Sequence, residues 1–235
     1  MTNPRPVLQV KDLRFAYDSK SRLVLDIPEL VVHKGEHVFL HGPSGSGKTT
    51  LLGILAGILK GQHGSVRILD HDLTHLTAHE RDRIRGADMG YIFQMFNLIP
   101  YLSVMDNILL PVRLSKTRRE RMERDPSLVA SELAAHLRID HLLEKNVSSL
   151  SMGQQQRVAA ARALIGRPAL IIADEPTSAL DTDHREAFLR LLFTEAEQVG
   201  STVLFVSHDH SLKPLFRRVV PLLSINRASS PQTDQ

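Results

Sequence analysis

Between Phe39 and Leu59 the chain reads FLHGPSGSGKTTLLGILAGIL, and within it Gly42-Pro43-Ser44-Gly45-Ser46-Gly47-Lys48-Thr49 fills the pattern G-x-x-x-x-G-K-[ST]. Such a stretch has to leave a strand and enter a helix. Glu36-His37-Val38-Phe39-Leu40 supplies the strand, opened by Gly35, while Leu51, Leu52, Leu55 and Leu59 mark one helical face. The glycines let backbone N–H groups turn inward toward phosphate oxygens. A helix beginning near Gly47 adds its positive end. Lys48 brings a mobile point charge for the outer phosphates; the Thr49 hydroxyl, followed by Thr50, stands where Mg²⁺ needs a ligand. The implied ligand is a nucleoside triphosphate.

The bulk properties narrow the class around that loop. A length of 235 residues allows one full domain with a subdomain. A net charge of +3 is too small to argue for nucleic acid. The lack of cysteine excludes a disulfide framework and thiolate metal sites. No apolar run approaches the ~20 residues a spanning helix needs. The N-terminus, MTNPRPVLQV, has no signal-peptide core. The expectation is a cytoplasmic protein.

Residues 7–17 and 22–32 read as two strands joined by a turn at Asp18-Ser19-Lys20. Tyr17 ends the first, either as an edge aromatic or as a platform for the nucleotide base. A further strand is expected from Ser65 to Leu69. His71, His75 and His79 have the spacing of a metal-binding helix face, but Thr77-Ala78-His79-Glu80 is a capping box. It starts the helix at Ala78 and leaves two of the three histidines outside, against a metal site. Met89 to Gln94 reads as a strand ending in a polar residue. The following segment, MFNLIPYLSVMDNILLP, is strongly apolar and broken by Pro100 and Pro111. Phe96, Leu98, Ile99, Tyr101 and Leu102 are too dense for one amphipathic stripe, so the segment is either core or a docking surface. Residues 113–125 mix basic and acidic side chains as a solvated face, with lipid or partner contact the lesser reading. Leu128 to Leu143 reads as an amphipathic helix, Pro168 to Ala173 as a buried strand, Thr182 to Val199 as a helix, and Thr202 to Val206 as another strand. Residues 226–235 have the composition of a disordered tail.

Strands alternating with helices imply a parallel sheet whose carboxyl edge carries the ligand. Gln94, Asp174 and His208 all fall at strand ends. Asp174, rigid behind four apolar residues, can hold Mg²⁺, and Glu175 can take a proton from water; as a pair they also suit a solvated turn. Ahead of them stands Leu150-Ser151-Met152-Gly153-Gln154-Gln155-Gln156-Arg157. This resembles the LSGGQ signature of ATP-binding-cassette ATPases. The other family marks fall in order: Tyr17 as the A-loop aromatic, Gln94 as the Q-loop, Ser178-Ala179-Leu180-Asp181 as the D-loop and His208 as the switch histidine. The resemblance covers roughly residues 7 to 220. Met152 departs from it, standing where the family usually has glycine.

The resemblance implies an α/β fold, a P-loop NTPase of ABC type: a mixed central sheet, an N-terminal antiparallel β-subdomain and a helical signature subdomain at about 95–160, within a single domain over 1–225. It implies a Mg²⁺-dependent ATPase whose catalytic residues are Glu175, His208, Lys48 and Gln94. Nucleotide contacts fall to Tyr17, Gly42, Pro43, Ser44, Gly45, Ser46, Gly47, Lys48, Thr49 and Thr50, and across a dimer to Ser151, Gly153, Gln154 and Asp181. Thr49, Gln94 and Asp174 would hold the metal. Two copies would pack head to tail around two ATP and drive a membrane permease from the inner face of the membrane. GYIFQMFNLIPYLSVMDNILLP looks most like the macrolide-exporter, lipoprotein-release and cell-division cassettes. Their permease would be met through about Phe96 to Leu102, with Phe96 and Tyr101 as anchors and no direct nucleic acid. The alternative, a soluble cassette acting on ribosomes or DNA, usually carries tandem cassettes or long insertions that this chain lacks.

Overall fold

The computed structural model describes residues 5–18, 22–177 and 182–229. Strands β1 (Pro6–Phe15) and β2 (Leu25–His33) open the chain, β3 (Val38–His41) feeds the phosphate loop and α1 (Lys48–Leu55) leaves it. Then come β4 (His63–Ile68), β5 (His71–Asp72), α2 (Ala78–Asp88) and β6 (Met89–Ile92). Four helices follow: α3 (Val104–Leu114), α4 (Lys116–Glu120), α5 (Pro126–His136) and α6 (Met152–Leu164). The chain continues through β7 (Leu170–Asp174), α7 (Thr182–Val199), β8 (Thr202–Ser207), β9 (Arg218–Pro221) and α8 (Leu222–Ile225). These form two compact units, residues 5–84 with 205–229, and residues 85–204. The expected helical segment at 95–160 is part of a wider unit that also holds β6 and β7.

In the first unit β2, β1, β4 and β5 form an antiparallel sheet in that order. Alternation within each half explains the pairing: Leu8 and Val10, then Leu13 and Phe15 beyond the left-handed Asp12, are buried on β1, as are Leu25 and Ile27, then Leu30 and Val32, on β2. In the same unit β3 pairs in parallel with β9, Phe39 opposite Val219, and neighbours the end of β8. The Phe39 ring lies 5.1 Å from Phe216, which lies 5.3 Å from Phe205. This apolar cluster supports the strand from which the phosphate loop springs. In the second unit β6 pairs in parallel with β7, Ile92 opposite Ala173. The antiparallel pairings thus form the expected N-terminal β-subdomain, while β3 with β9 and β6 with β7 pair in parallel.

Local signals place several boundaries well. Glu80 accepts from the Thr77 N–H at 2.8 Å, and α2 begins at Ala78 as the capping box requires. Among the described residues no group of histidines and carboxylates is arranged to hold a metal. Elsewhere packing overrides the local pattern. Pro111 does not break its segment but lies inside α3, whose Ile108, Leu109 and Val112 are buried. Their burial outweighs the ~3 kcal/mol that an interior proline costs. The expected helix from Leu128 to Leu143 ends after His136, where Arg138 turns into the left-handed region at φ 59°. Residues 113–125 are not a wholly solvated face. Arg118 is buried, donating to the carbonyls of Ile165 and Met89, and burial pulls its guanidinium down to about 10.

Two further expectations need correction. Phe96 is core, not an exposed anchor: it is 1% exposed, whereas Met95 and Tyr101 are 75% and 78% exposed. The chain reverses there through consecutive left-handed residues, Phe96 and Asn97, which carries the Phe96 ring inward. The expected tail is ordered at its start: Asn226 is fully buried, and a 3₁₀ turn follows at Arg227–Ser229. Part of the expected turn after Tyr17, and the segment Ser178 to Asp181, lie outside the described residues. Among the described residues no helix is long and apolar enough to cross a membrane.

Candidate functional site

The phosphate loop is shaped by two left-handed glycines, Gly45 at φ 78° and Gly47 at φ 94°. They alternate with Ser44 and Ser46, whose φ angles are not positive, the backbone pattern of an anion-binding nest, and the Ser46 N–H closes the turn by donating to the Pro43 carbonyl at 3.2 Å. Glycine is required at position 47 for a second reason, since a Cβ there would come within 2.9 Å of Leu25 Cδ2. Gly47 is also the N-cap of α1 and offers no side-chain cap, leaving the first turn's N–H groups to another acceptor. Lys48 Nζ donates to the Gly42 carbonyl at 2.7 Å and the Pro43 carbonyl at 3.0 Å, so the ammonium lies over the start of the loop. Thr49 is exposed, Thr50 is buried, and Ser46 Oγ is buried without a hydrogen-bond partner. Left-handed glycines, a lysine and an exposed hydroxyl make a donor set that fits a polyphosphate with Mg²⁺.

The same unit carries Tyr17 and His208. Tyr17 hydroxyl and Thr50 Oγ1 lie 3.0 Å apart, and the Phe15 ring meets the Tyr17 ring edge-on at 5.2 Å. Held at its tip and one edge, Tyr17 remains 64% exposed, the geometry of a stacking platform. His208 is exposed directly after β8. Close by in sequence, His210 meets the His41 ring at 4.8 Å. Burial, then Lys213 and His210, hold His41 below the usual histidine range.

The second unit brings the remaining described residues. Because β6 and β7 run in parallel, Gln94 and the pair Asp174–Glu175 leave at the same edge. Gln94 is exposed; Asp174 is half-buried. Burial, helped by the Asp174 charge, raises the Tyr91 hydroxyl well above the usual tyrosine range, and the Tyr91 ring stacks on Phe93 at 4.1 Å. Glu175 adopts φ 45°, a conformation an L-residue takes up only where its surroundings hold it. The next residue, Pro176, accepts at its carbonyl from buried Gln156 at 3.0 Å. Gln156 lies on α6, the helix opened by the signature.

At the start of that helix Ser151 is the N-cap of a complete capping box: it accepts from the Gln154 N–H, and its own N–H donates to Gln154 Oε1 at 3.0 Å. Met152 is the first helical residue, 43% exposed, and its φ is not positive. Gly153 follows within the first turn. Farther along α6, Arg162 donates to the Asn97 carbonyl at 2.7 Å and the Phe96 carbonyl at 2.6 Å, clamping the reversal after Gln94. Burial pulls Arg162 down to about 10, so it stays charged at neutral pH. Gln156 and Arg162 were missed from sequence. Arg162 had a legible signal, a lone charge among Val158, Ala159, Ala160, Ala161, Ala163 and Leu164; Gln156, one of three glutamines in a row, had none. Asp181 lies outside the described residues.

The family model described as ABC transporter matches residues 25–178, a span that includes the phosphate loop, Gln94, the signature and Asp174. The chain belongs to that family. It is 40% identical to the Bacillus subtilis ABC transporter ATP-binding protein YvcR, over 91% of this chain and 83% of the relative. It is 36% identical to the macrolide export ATP-binding/permease protein MacB of Syntrophobacter fumaroxidans, over 91% of this chain but 30% of that longer protein. Among solved structures, the dimeric bacterial ABC transporter cassette MJ0796 matches with a TM-score of 0.79 and 33% identity, covering 91% of this chain and 93% of that one. The same cassette matches in a dimeric post-hydrolysis state bound to ADP and Pi. This chain is thus an ATP-binding, ATP-hydrolysing cassette, with Mg²⁺ as the associated ion.

Proposed function

We propose that two copies of this cassette close around two ATP and that the cycle of closure and opening drives a membrane permease from the cytoplasmic face. The observation that carries the reading is a second anion site. The chain has a phosphate loop with its own helix N-terminus, and separately an exposed, capped helix N-terminus at Ser151. One ATP uses both when each copy offers its signature to the other's phosphate loop. In this reading Tyr17 stacks on the adenine and Gly42 to Thr50 cradle the phosphates. Lys48 neutralises the outer phosphates, while Thr49, Gln94 and Asp174 hold Mg²⁺. Glu175 takes the proton of the attacking water, and His208 aligns that water with the γ-phosphate. Ser151, Gly153, Gln154 and Asp181 serve the opposite copy's nucleotide. MacB, whose name joins ATP-binding and permease roles, supports placing the chain among cassettes of the macrolide-exporter, lipoprotein-release and cell-division kind. Neither YvcR, MacB nor MJ0796 supports the ribosome- or DNA-acting alternative.

Glu175→Gln tests the reading. It should keep ATP affinity, lose at least the ~10²-fold of turnover that a general base supplies, and run as a dimer with ATP and Mg²⁺ in size-exclusion chromatography. A monomeric variant hydrolysing at the parent rate would exclude Glu175 as the base and undercut the closing dimer.

A further inference from the structure

One buried side chain beside the phosphate loop has no part in the roles assigned above. Asn226 follows α8 and is fully buried, its backbone N–H donating to the Leu222 carbonyl at 2.8 Å. Its side-chain amide is saturated. Nδ2 donates to the Val24 carbonyl at 3.0 Å and to the Ser46 carbonyl at 3.2 Å, while Oδ1 accepts from the Asp26 N–H at 2.8 Å and the Ala228 N–H at 3.3 Å. Two carbonyls on one side and two N–H groups on the other fix the amide's orientation, because a flip would set Oδ1 against both carbonyl oxygens. Three distant parts of the sequence meet on this group: the entry of β2, the end of the phosphate loop and the chain after α8.

We propose that Asn226 is a positioning residue for the phosphate loop, orienting the Ser46–Gly47 peptide so that the Gly47 N–H faces the nucleotide phosphates. The geometry of the peptide carries the step. In a trans peptide the C=O and N–H point in opposite directions within one plane. Holding the Ser46 carbonyl against Nδ2 therefore aims the Gly47 N–H away from Asn226. That N–H belongs to the nest built by Gly45 and Gly47. Gly47 is also confined from behind, since a Cβ there would lie 3.3 Å from the Val24 carbonyl oxygen and 3.6 Å from Asn226 Nδ2. Asn226 bonds both Val24 and Ser46, so it sets the spacing between the wall behind Gly47 and the loop itself. Asparagine is suited to that position, because aspartate would offer no donor to either carbonyl and an apolar residue would leave four backbone groups unpaired.

The experiment compares the full-length protein with Asn226→Asp, which keeps size and the Oδ1 acceptor but turns an oxygen toward two carbonyls, and with Asn226→Ala. Affinities are measured for ADP, for ATP, and for a ribose-labelled fluorescent adenosine that carries no phosphate. Both variants should lose about tenfold or more in ADP and ATP affinity, in the range of hydrogen bonds to charged groups. Adenosine binding should be unchanged. The steady-state signature should be a raised KM, with kcat kept within about twofold, because an N–H on the inner phosphates binds ground and transition states alike. Parent ADP affinity in a folded variant overturns the proposal. So does an equal loss for ADP and the adenosine probe, which would mark a purely structural residue. Should neither variant fold, parent protein labelled with ¹⁵N at asparagine decides: the Asn226 side-chain amide resonance should move on adding ADP and not on adding adenosine, and a resonance indifferent to ADP overturns the proposal.

Discussion

At Glu175 the backbone sits in the left-handed region, which costs a non-glycine residue on the order of 1–3 kcal/mol. The adjoining Pro176 carbonyl, held by Gln156, shows part of what keeps it there. A reading by residue type finds the carboxylate but not its conformation, because no sequence pattern marks a glutamate held at positive φ. The phosphate loop is the opposite case. Its glycines are legible because the left-handed nest excludes other residues. Met152 is a third case. It stands at a glycine position of the family's signature, yet it occupies the first helical position without positive φ, so its backbone needs no glycine there. What remains is bulk at an exposed helix start. In a Glu175→Gln background, Met152→Gly should form the ATP-dependent dimer at lower ATP concentration, with a loss of no more than ~1 kcal/mol in stability from the glycine. Analytical ultracentrifugation across an ATP titration, with a thermal melt, reads both; an unchanged or weaker dimer would mean that methionine does not obstruct the approach.

Helix α6 is the element that ties the second unit's candidate residues together. Ser151 caps it, Gln156 holds the Pro176 carbonyl, and Arg162 clamps the reversal after Gln94. Its capping box carries the same signal as that of α2, side chains three residues apart, although only the box of α2 was read from the sequence. Boundaries set by tertiary packing were not legible: Pro111 sits within α3, and Arg118 is buried in what reads as a solvated run. Asn226 likewise belongs by composition to a tail, and only the fold reveals what it bonds. The cap that Ser151 makes on its helix and the contact proposed for it with the opposite copy's phosphate can be separated. Aspartate caps a helix as well as serine does, whereas alanine costs ~1 kcal/mol. Ser151→Asp should therefore keep the melting temperature and ADP affinity while abolishing the ATP-dependent dimer, because its charge opposes the γ-phosphate. Ser151→Ala should weaken both stability and dimer. A dimer undisturbed by Ser151→Asp would remove Ser151 from the nucleotide interface.

For the whole molecule the remaining question is where a permease would hold it. The segment after Gln94 is apolar by composition, and composition cannot tell a core ring from a surface one. The structure divides it. Phe96 is buried, while Met95 and Tyr101 are exposed and Leu98, Ile99 and Leu102 are half-buried. The loop is not loose: Asn107 accepts from the Ile99 N–H at 2.8 Å and donates to the Ile99 carbonyl at 3.1 Å, fixing it to α3. Large apolar side chains on a braced loop next to Gln94 suit a partner whose movement must reach the ATP site. Met95→Ala with Tyr101→Ala should fold with a melting point near the parent's and keep basal ATPase, yet lose permease in a pull-down and lose the permease's control of turnover. Phe96→Ala should act differently. It opens a core cavity and costs about 3–5 kcal/mol of stability, so its effect on assembly should follow its effect on folding. If the double variant still assembles and couples normally, the permease grips elsewhere, and Arg162 and Asn107 merely brace a surface loop.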